Sequence, residues 1–176
     1  WNPRQASKIN SLQIHYTCWY ILLMKFNEDS RVKIPSLIHL TRLGYKYLSL
    51  KNSVWDLSSN IFEDIFVKAI SKINKEKDEL KIKNLLDELK ISLSNDDLGQ
   101  SFFERIINNQ GLKVIDFENI ENNCFNVVTE LTYQKDDDVF RPDITILING
   151  LPLVFIEVKK PNNKEGMYSE KNRINK

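Results

Sequence analysis

Two apolar runs, Ile144–Ile148 and Leu151–Ile156, are separated only by Asn149-Gly150. An Asn-Gly pair between β-rich runs is a strong hairpin signal, because both central residues of the tightest hairpin turn need a positive φ. The runs show little polar alternation, which implies burial on both faces. The expected strands are 141–148 and 151–159. A chain built around such a hairpin must supply covering layers, so a sheet flanked by helices is the expected architecture. Charges stand only at the outer ends: Asp143 on the first strand, Glu157 and Lys159 on the second. Such charges are costly at the end of a buried strand unless they pair or bind a metal.

Glu157 and Lys159 are two apart and share a face of an extended strand. Whether Asp143 joins them depends on the turn. A two-residue loop pairs 148 with 151 and 143 with 156, which sends Asp143 to the opposite face. A three-residue loop, with Gly150 left-handed and a bulge, pairs 143 with 155 and restores the face. A bulge elsewhere does the same. We therefore expect an odd-residue adjustment in the register. Two carboxylates and a main-chain carbonyl, here that of Val158, are hard oxygen ligands suited to Mg²⁺, which keeps several waters. Such an ion polarises a phosphodiester oxygen and acidifies a bound water. Lys159 can orient that water or stabilise transition-state charge. By spacing alone, a pattern that arises often by chance, with Glu157 and Lys159 as a strand-end ion pair, is the favoured explanation.

Upstream, the periodicity is helical. Residues 28–43 form a short helix, with Pro35 in its first turn or at a kink and Gly44 as its stop. Tyr45–Leu50 is a short strand or extended link. An amphipathic helix covers 60–74 with Asn60 as N-cap, and another covers 77–92 on Leu80, Leu85, Leu86 and Leu89. Asn95-Asp96-Asp97 caps a helix carrying Phe102, Phe103, Ile106 and Ile107, ending at Gly111. The period then changes to strands: 113–117, 124–133, a charged turn at 134–138, and the hairpin. Residues 1–23 lack clean periodicity and read as an extension, either native or foreign to the domain, ahead of one domain from Met24 onward.

Composition limits the alternatives. The net charge of +1 over 176 residues gives no global basic field, so any DNA contact must be a local patch. Two widely spaced cysteines, Cys18 and Cys124, exclude a disulfide framework or a CxxC zinc site and point to a reducing, cytoplasmic setting. Two histidines, His15 and His39, cannot build a histidine metal cluster. The apolar run Cys18–Met24 is too short to span a membrane and lacks the features of a signal peptide.

The segment Arg141-Pro142-Asp143, the Asn149-Gly150-Leu151-Pro152 hairpin and Ile156-Glu157-Val158-Lys159-Lys160-Pro161 closely resemble the nuclease motif of the restriction (R) subunit of type I restriction–modification enzymes, in the PD-(D/E)xK superfamily. Asn27-Glu28-Asp29-Ser30-Arg31, with His39–Tyr45, resembles that family's opening helix. The likeness runs from Met24 to the end of the chain, and its motifs are specific in combination. The resemblance implies an α/β, restriction-endonuclease-like mixed sheet flanked by helices. It implies Mg²⁺-dependent cleavage of double-stranded DNA within an ATP-driven translocating complex, with methylation and specificity subunits as partners. Asp143 and Glu157 match the metal-binding acids and Lys159 the catalytic lysine. Glu28 matches the acid of the first helix, although a solvated helix-start acid favoured by the helix dipole explains it nearly as well.

Two departures stand out. No Gln-x-x-x-Tyr motif follows Pro161, though Tyr168, Glu170 and Arg173 could belong to the equivalent helix. No Walker A loop is present, so ATP would act only through motor domains elsewhere. The chain thus reads as an N-terminal piece with part of its core missing, and poorly active alone. Lys160, Lys164, Lys171, Arg173 and Lys176 form a basic stretch that could contact phosphates, foremost through Lys160, Lys164 and Arg173, or simply be a solvated tail. Two other readings remain: a different PD-(D/E)xK nuclease of repair or resolvase type, or an inactive nuclease fold used for docking or DNA binding.

Overall fold

In a computed structural model of the chain, the described residues are 27–107, 111–135 and 138–159. They fall into two compact units, one containing 27–38 and 158–159, the other 39–157. Residues 1–23 and Met24, and the basic residues from Lys160 onward, lie outside the described residues.

The first expected helix is present, with a wide start. A π-turn, Asp29–Lys33, leads into helix α1, Ile34–Arg42. Pro35 has no N–H to donate and its ring crowds the preceding turn, so a loosened turn just before it relieves both problems. Gly44, at φ +99°, ends the helix. Its N–H donates to the Thr41 carbonyl and the Tyr45 N–H to the Leu40 carbonyl, each at 3.1 Å. This double bond pattern is the Schellman stop that glycine permits.

The remaining helices are α2 (Glu63–Asn74), α3 (Glu79–Ser94) and α4 (Gln100–Ile107). The strands are β1 (Lys46–Tyr47), β2 (Phe125–Thr129), β3 (Tyr133–Lys135), β4 (Asp138–Phe140), β5 (Ile144–Ile148) and β6 (Leu151–Ile156). Four of them form a sheet in the order β1-β2-β5-β6. β1 runs parallel to β2 and the other neighbours are antiparallel, so the sheet is mixed, as expected. β3 and β4 pair separately.

Several local expectations are corrected. Asn60 is not an N-cap: its φ is +57°, a conformation asparagine tolerates, and its side-chain amide donates to the Thr132 carbonyl at 3.1 Å. The helix begins at Glu63, after the buried pair Ile61 and Phe62. On α3, Leu80 is 66% exposed and Ile82 takes the inward position instead. On α4, Phe103 and Ile107 face outward while Ile106 is buried. The cap expected ahead of α4 is Asp97, whose carboxylate accepts from the N–H groups of Gly99 and Ser101 and from the Ser101 hydroxyl.

Residues 113–117 form no strand, because the Asn74 side chain donates to the Lys113 carbonyl and accepts its N–H, occupying what a ladder would use. The expected strand 124–133 breaks at Glu130, at φ +58°, and resumes in another sheet. Gln134 and Lys135 are strand rather than turn. β5 starts at Ile144, not Arg141, since Pro142 cannot donate to a ladder. β6 ends at Ile156, because β5 offers no partner beyond Ile144.

Two apolar clusters hold the second unit. One joins Phe66 and Ile70 of α2 to Ile82, Leu85 and Leu89 of α3 and to Leu151 of β6. The other sets Phe62 against Val128, Leu131 and Leu147. Each fully buried side chain of this size contributes about 1.5–3 kcal/mol over an exposed one. Among the described residues no helix is long and apolar enough to cross a membrane.

Candidate metal centre

The geometry of the site is set at its far end, in the hairpin turn. Asn149 and Gly150 have φ +53° and +82°, the two positive values the sequence demands. Asn149 is fully buried, and its Oδ1 accepts the Cys124 N–H at 2.7 Å. Its Nδ2 donates to the Val114 carbonyl and to Asn123 Oδ1, both at 2.9 Å. The Gly150 carbonyl accepts the Phe62 N–H at 3.0 Å. The turn is thereby bolted to the start of β2 and to the entry of α2.

From this anchor the register runs outward. Ile148 pairs with Leu151 and Leu147 with Pro152, but Ile146 pairs with Val154, so Leu153 is an extra residue. The bulge sits beside Pro152, which has no N–H for the ladder. Beyond it Thr145 pairs with Phe155 and Ile144 with Ile156. The strands stop there; the same register carried one step on would set Asp143 across from Glu157. Directly opposed residues of antiparallel strands share a face, with Cβ atoms about 4.5–5.5 Å apart. The odd-residue adjustment is therefore present, as a two-residue loop plus a bulge rather than a three-residue loop.

The next positions inward on that face are Thr145 and Phe155. Thr145 is fully buried, and its hydroxyl oxygen has no hydrogen-bond partner. Phe155 meets two aromatic rings of the β3–β4 hairpin, Tyr133 at 4.9 Å and Phe140 at 5.7 Å between centroids. Burial pushes the Tyr133 phenol well above its ordinary value. Tyr133 thus stays neutral, and the inner neighbours on this face are largely apolar, with Thr145 buried and Phe155 48% exposed. On β2 the same one-step extension puts Glu130 beside Asp143, and the Glu130 N–H donates to the Asp143 carbonyl at 3.3 Å. Arg141 lies 3.9 Å from the Glu130 carboxylate, both largely exposed.

Glu130 and Thr145 were not singled out by sequence reasoning. A signal existed for Thr145, the one polar residue within Ile144–Ile148, two positions from Asp143. Glu130 closes the β-rich run of β2, but only the register reveals its neighbour. Asp143 and Glu157 are both half-buried members of the second unit. Glu28, Val158 and Lys159 belong to the first; Val158 is buried and Lys159 half-buried. Among the described residues no three His, Cys, Asp or Glu side chains converge to hold a metal ion. An ion here would rest on two carboxylates, with main-chain carbonyl, water and substrate oxygens completing its shell. That donor set suits Mg²⁺, which is bound by one or two carboxylates and keeps several waters.

A carboxyl elsewhere is more strongly perturbed. Asp56 is held well below the usual range, first by the Ser59 hydroxyl, then by Ser58 and Lys90, against the opposing effect of burial. Lys90 also bonds Glu63. This is a loop clamp between residues 56–59 and α3, which needs no ligand to explain it.

The family described as the type I restriction enzyme R protein N terminus matches residues 25–176. The chain belongs to that family. Two relatives in Methanocaldococcus jannaschii are named as type I restriction enzyme endonuclease subunits. The MjaVIIIP subunit is 36% identical over 118 residues, 65% of this chain and 11% of the relative. The MjaIXP subunit is 30% identical over 169 residues, 80% of this chain and 16% of the relative. The chain thus spans under a fifth of the length of either type I restriction subunit. No solved structure matches.

Proposed function

We propose that this R-subunit N-terminal region is the Mg²⁺-dependent endonuclease of a type I restriction enzyme, of the PD-(D/E)xK kind, cutting double-stranded DNA in an ATP-driven translocating complex. The observation that supports the reading is the bulge at Leu153, an odd-residue shift that, carried one step past the last pair of Ile144 with Ile156, would set Asp143 across from Glu157. Asp143 and Glu157 hold the ion, joined by the Val158 carbonyl and supported by Glu28. When bound, Mg²⁺ polarises a phosphodiester oxygen and lowers the pKa of a water. Lys159 orients the attacking water and stabilises the charge that develops on the phosphate. Lys160, Lys164 and Arg173 contact DNA phosphates without reading sequence. Motor domains use the ATP, and methylation and specificity subunits choose the site, in the cytoplasm where the DNA lies.

The test is Mn²⁺ and Mg²⁺ titration calorimetry on the chain and on Asp143→Ala, paired with ATP-dependent plasmid cleavage by the assembled enzyme carrying the same substitution. Loss of metal binding and of cleavage together is expected, as is little cleavage by the 176-residue chain alone. Unchanged metal binding and cleavage in Asp143→Ala would sink the reading and favour a docking module.

A further inference from the structure

A second concave site lies at the other end of β2 from Asp143. It is an open cleft of about 920 Å³ in the second unit, between β1, α2 from Ile65 to Lys72, and residues 120–126. That volume is within the range of small-molecule sites. Five residue steps, from Phe125 to Glu130, separate it from the carboxylates, about 17 Å at roughly 3.3 Å per residue.

Its walls are apolar, with Ile65 and Ala69 from α2 and an edge-to-face pair of Tyr45 and Phe125, centroids 5.6 Å apart. Its charges are one-sided. Lys46, Lys68 and Lys72 line it against one carboxylate, Glu121. Lys72 is a strut, donating to the carbonyls of Glu121 and Asn122 at 3.5 and 3.2 Å. Lys46 and Lys68 have no ion-pair or hydrogen-bond partner among the described residues. Deeper in, Asn126 is only 3% exposed. Its Oδ1 accepts the Cys124 thiol at 3.2 Å, and no acceptor takes its Nδ2 among the described residues. That amide keeps slight access to the cleft and is free to donate to a bound acceptor.

These features together describe a ligand. Two uncommitted lysines suit a doubly charged phosphate better than a single carboxylate. A wall with two aromatic rings suits a flat ring system. A deep amide donor suits a ring nitrogen or carbonyl acceptor. We propose that the cleft binds a nucleotide, its phosphate neutralised by Lys46 and Lys68 and its base set against the Tyr45–Phe125 wall with Asn126 as donor. The same chemistry is offered by a free nucleotide or by the terminal nucleotide of a single DNA strand. The inference does not depend on the metal centre.

Cys124 lines the cleft and gives it a reporter. In a Cys18→Ser background it is the sole cysteine. The probes are deoxyadenosine monophosphate, deoxyadenosine, inorganic phosphate and a 5′-phosphorylated single-stranded oligonucleotide. Affinity is read by calorimetry and by slowed alkylation of Cys124 with iodoacetamide. The expected result is saturable binding of the monophosphate that protects Cys124. Lys46→Glu and Lys68→Glu, both exposed positions, should each weaken it about tenfold or more, the effect of losing a charge-assisted contact. Lys83→Glu on α3 and Asp143→Ala should leave it unchanged. A tighter oligonucleotide assigns the site to strand ends, and an equal or tighter monophosphate assigns it to free nucleotide; both support the proposal. Absence of saturable binding, inorganic phosphate competing as well as the nucleotide, or insensitivity to both lysine substitutions would each overturn it.

Discussion

The two ends of the β5–β6 hairpin differ in almost every physical respect. At the turn, Asn149 is fully buried and its side chain reaches three separate groups, while Gly150 is wedged against α2. At the open end the strands stop, and Asp143 and Glu157 are half-buried beyond the last paired residues. Order is concentrated where there is no chemistry to perform. The reason lies in the periodicity of strands: a one-residue slip turns every side chain to the other face. The register leading to the two carboxylates is therefore decided by the turn and by the bulge at Leu153, several residues away.

If the turn sets the register, damage there should be the most severe. Gly150 has φ +82°, and a Cβ on it would lie 2.6 Å from the Phe62 carbonyl oxygen and 2.9 Å from the Phe66 nitrogen. Both are backbone atoms, so no side-chain rotation relieves the clash. Gly150→Ala should destabilise the chain by about 3–4 kcal/mol, combining left-handed strain with displacement of the α2 entry. Urea denaturation would show it as a lower midpoint at unchanged slope. A loss under about 1 kcal/mol would mean the turn can move freely, and the contrast between the ends would fail.

Asn149→Ala comes next. It strands the Cys124 N–H, the Val114 carbonyl and one bond of Asn123 Oδ1 in the interior. The expected loss is about 2–3 kcal/mol, since buried groups left unpaired carry their full desolvation cost. Asn149→Asp retains the acceptor for Cys124 but loses both donors and adds a buried charge, so it should be no better than alanine. An aspartate variant as stable as the parent would show that water reaches the turn.

The hairpin was the most legible part of the fold because its signals are local. Asn149-Gly150 needs positive φ at both positions, and two apolar runs need partners. The helices were legible from their periodicity, but their limits were not. Asn60 has an N-cap's composition, yet tertiary bonding to Thr132 makes it a left-handed corner ahead of α2. The strand expected at 113–117 failed because Asn74, some forty positions away, takes its hydrogen bonds. At the site, sequence supplied Asp143 and Glu157 and the need for an odd adjustment. It could not choose between a longer loop and a bulge, because that depends on how Pro152 and Leu153 pack against β5. Glu130 escaped notice for a related reason: its position beside Asp143 follows from the β2–β5 register, a contact between distant segments.

The smallest expected effect is at the open end, and its sign is informative. Like charges directly across an antiparallel pair are destabilising, by a few tenths to about 1 kcal/mol. Asp143→Asn is nearly isosteric and keeps the main-chain carbonyl that accepts the Glu130 N–H. It should therefore leave stability unchanged or raise it by up to about 1 kcal/mol in the absence of divalent ions. With millimolar Mg²⁺ the ranking should reverse, because an ion that binds only the folded parent stabilises it by mass action. Thermal melts of both proteins, with and without Mg²⁺, measure the four values required. A loss above about 1 kcal/mol in ion-free buffer would show that Asp143 anchors the strand end, as the turn residues anchor theirs. The open end would then be a structural ion-pair site, and the division of labour between the two ends would not hold.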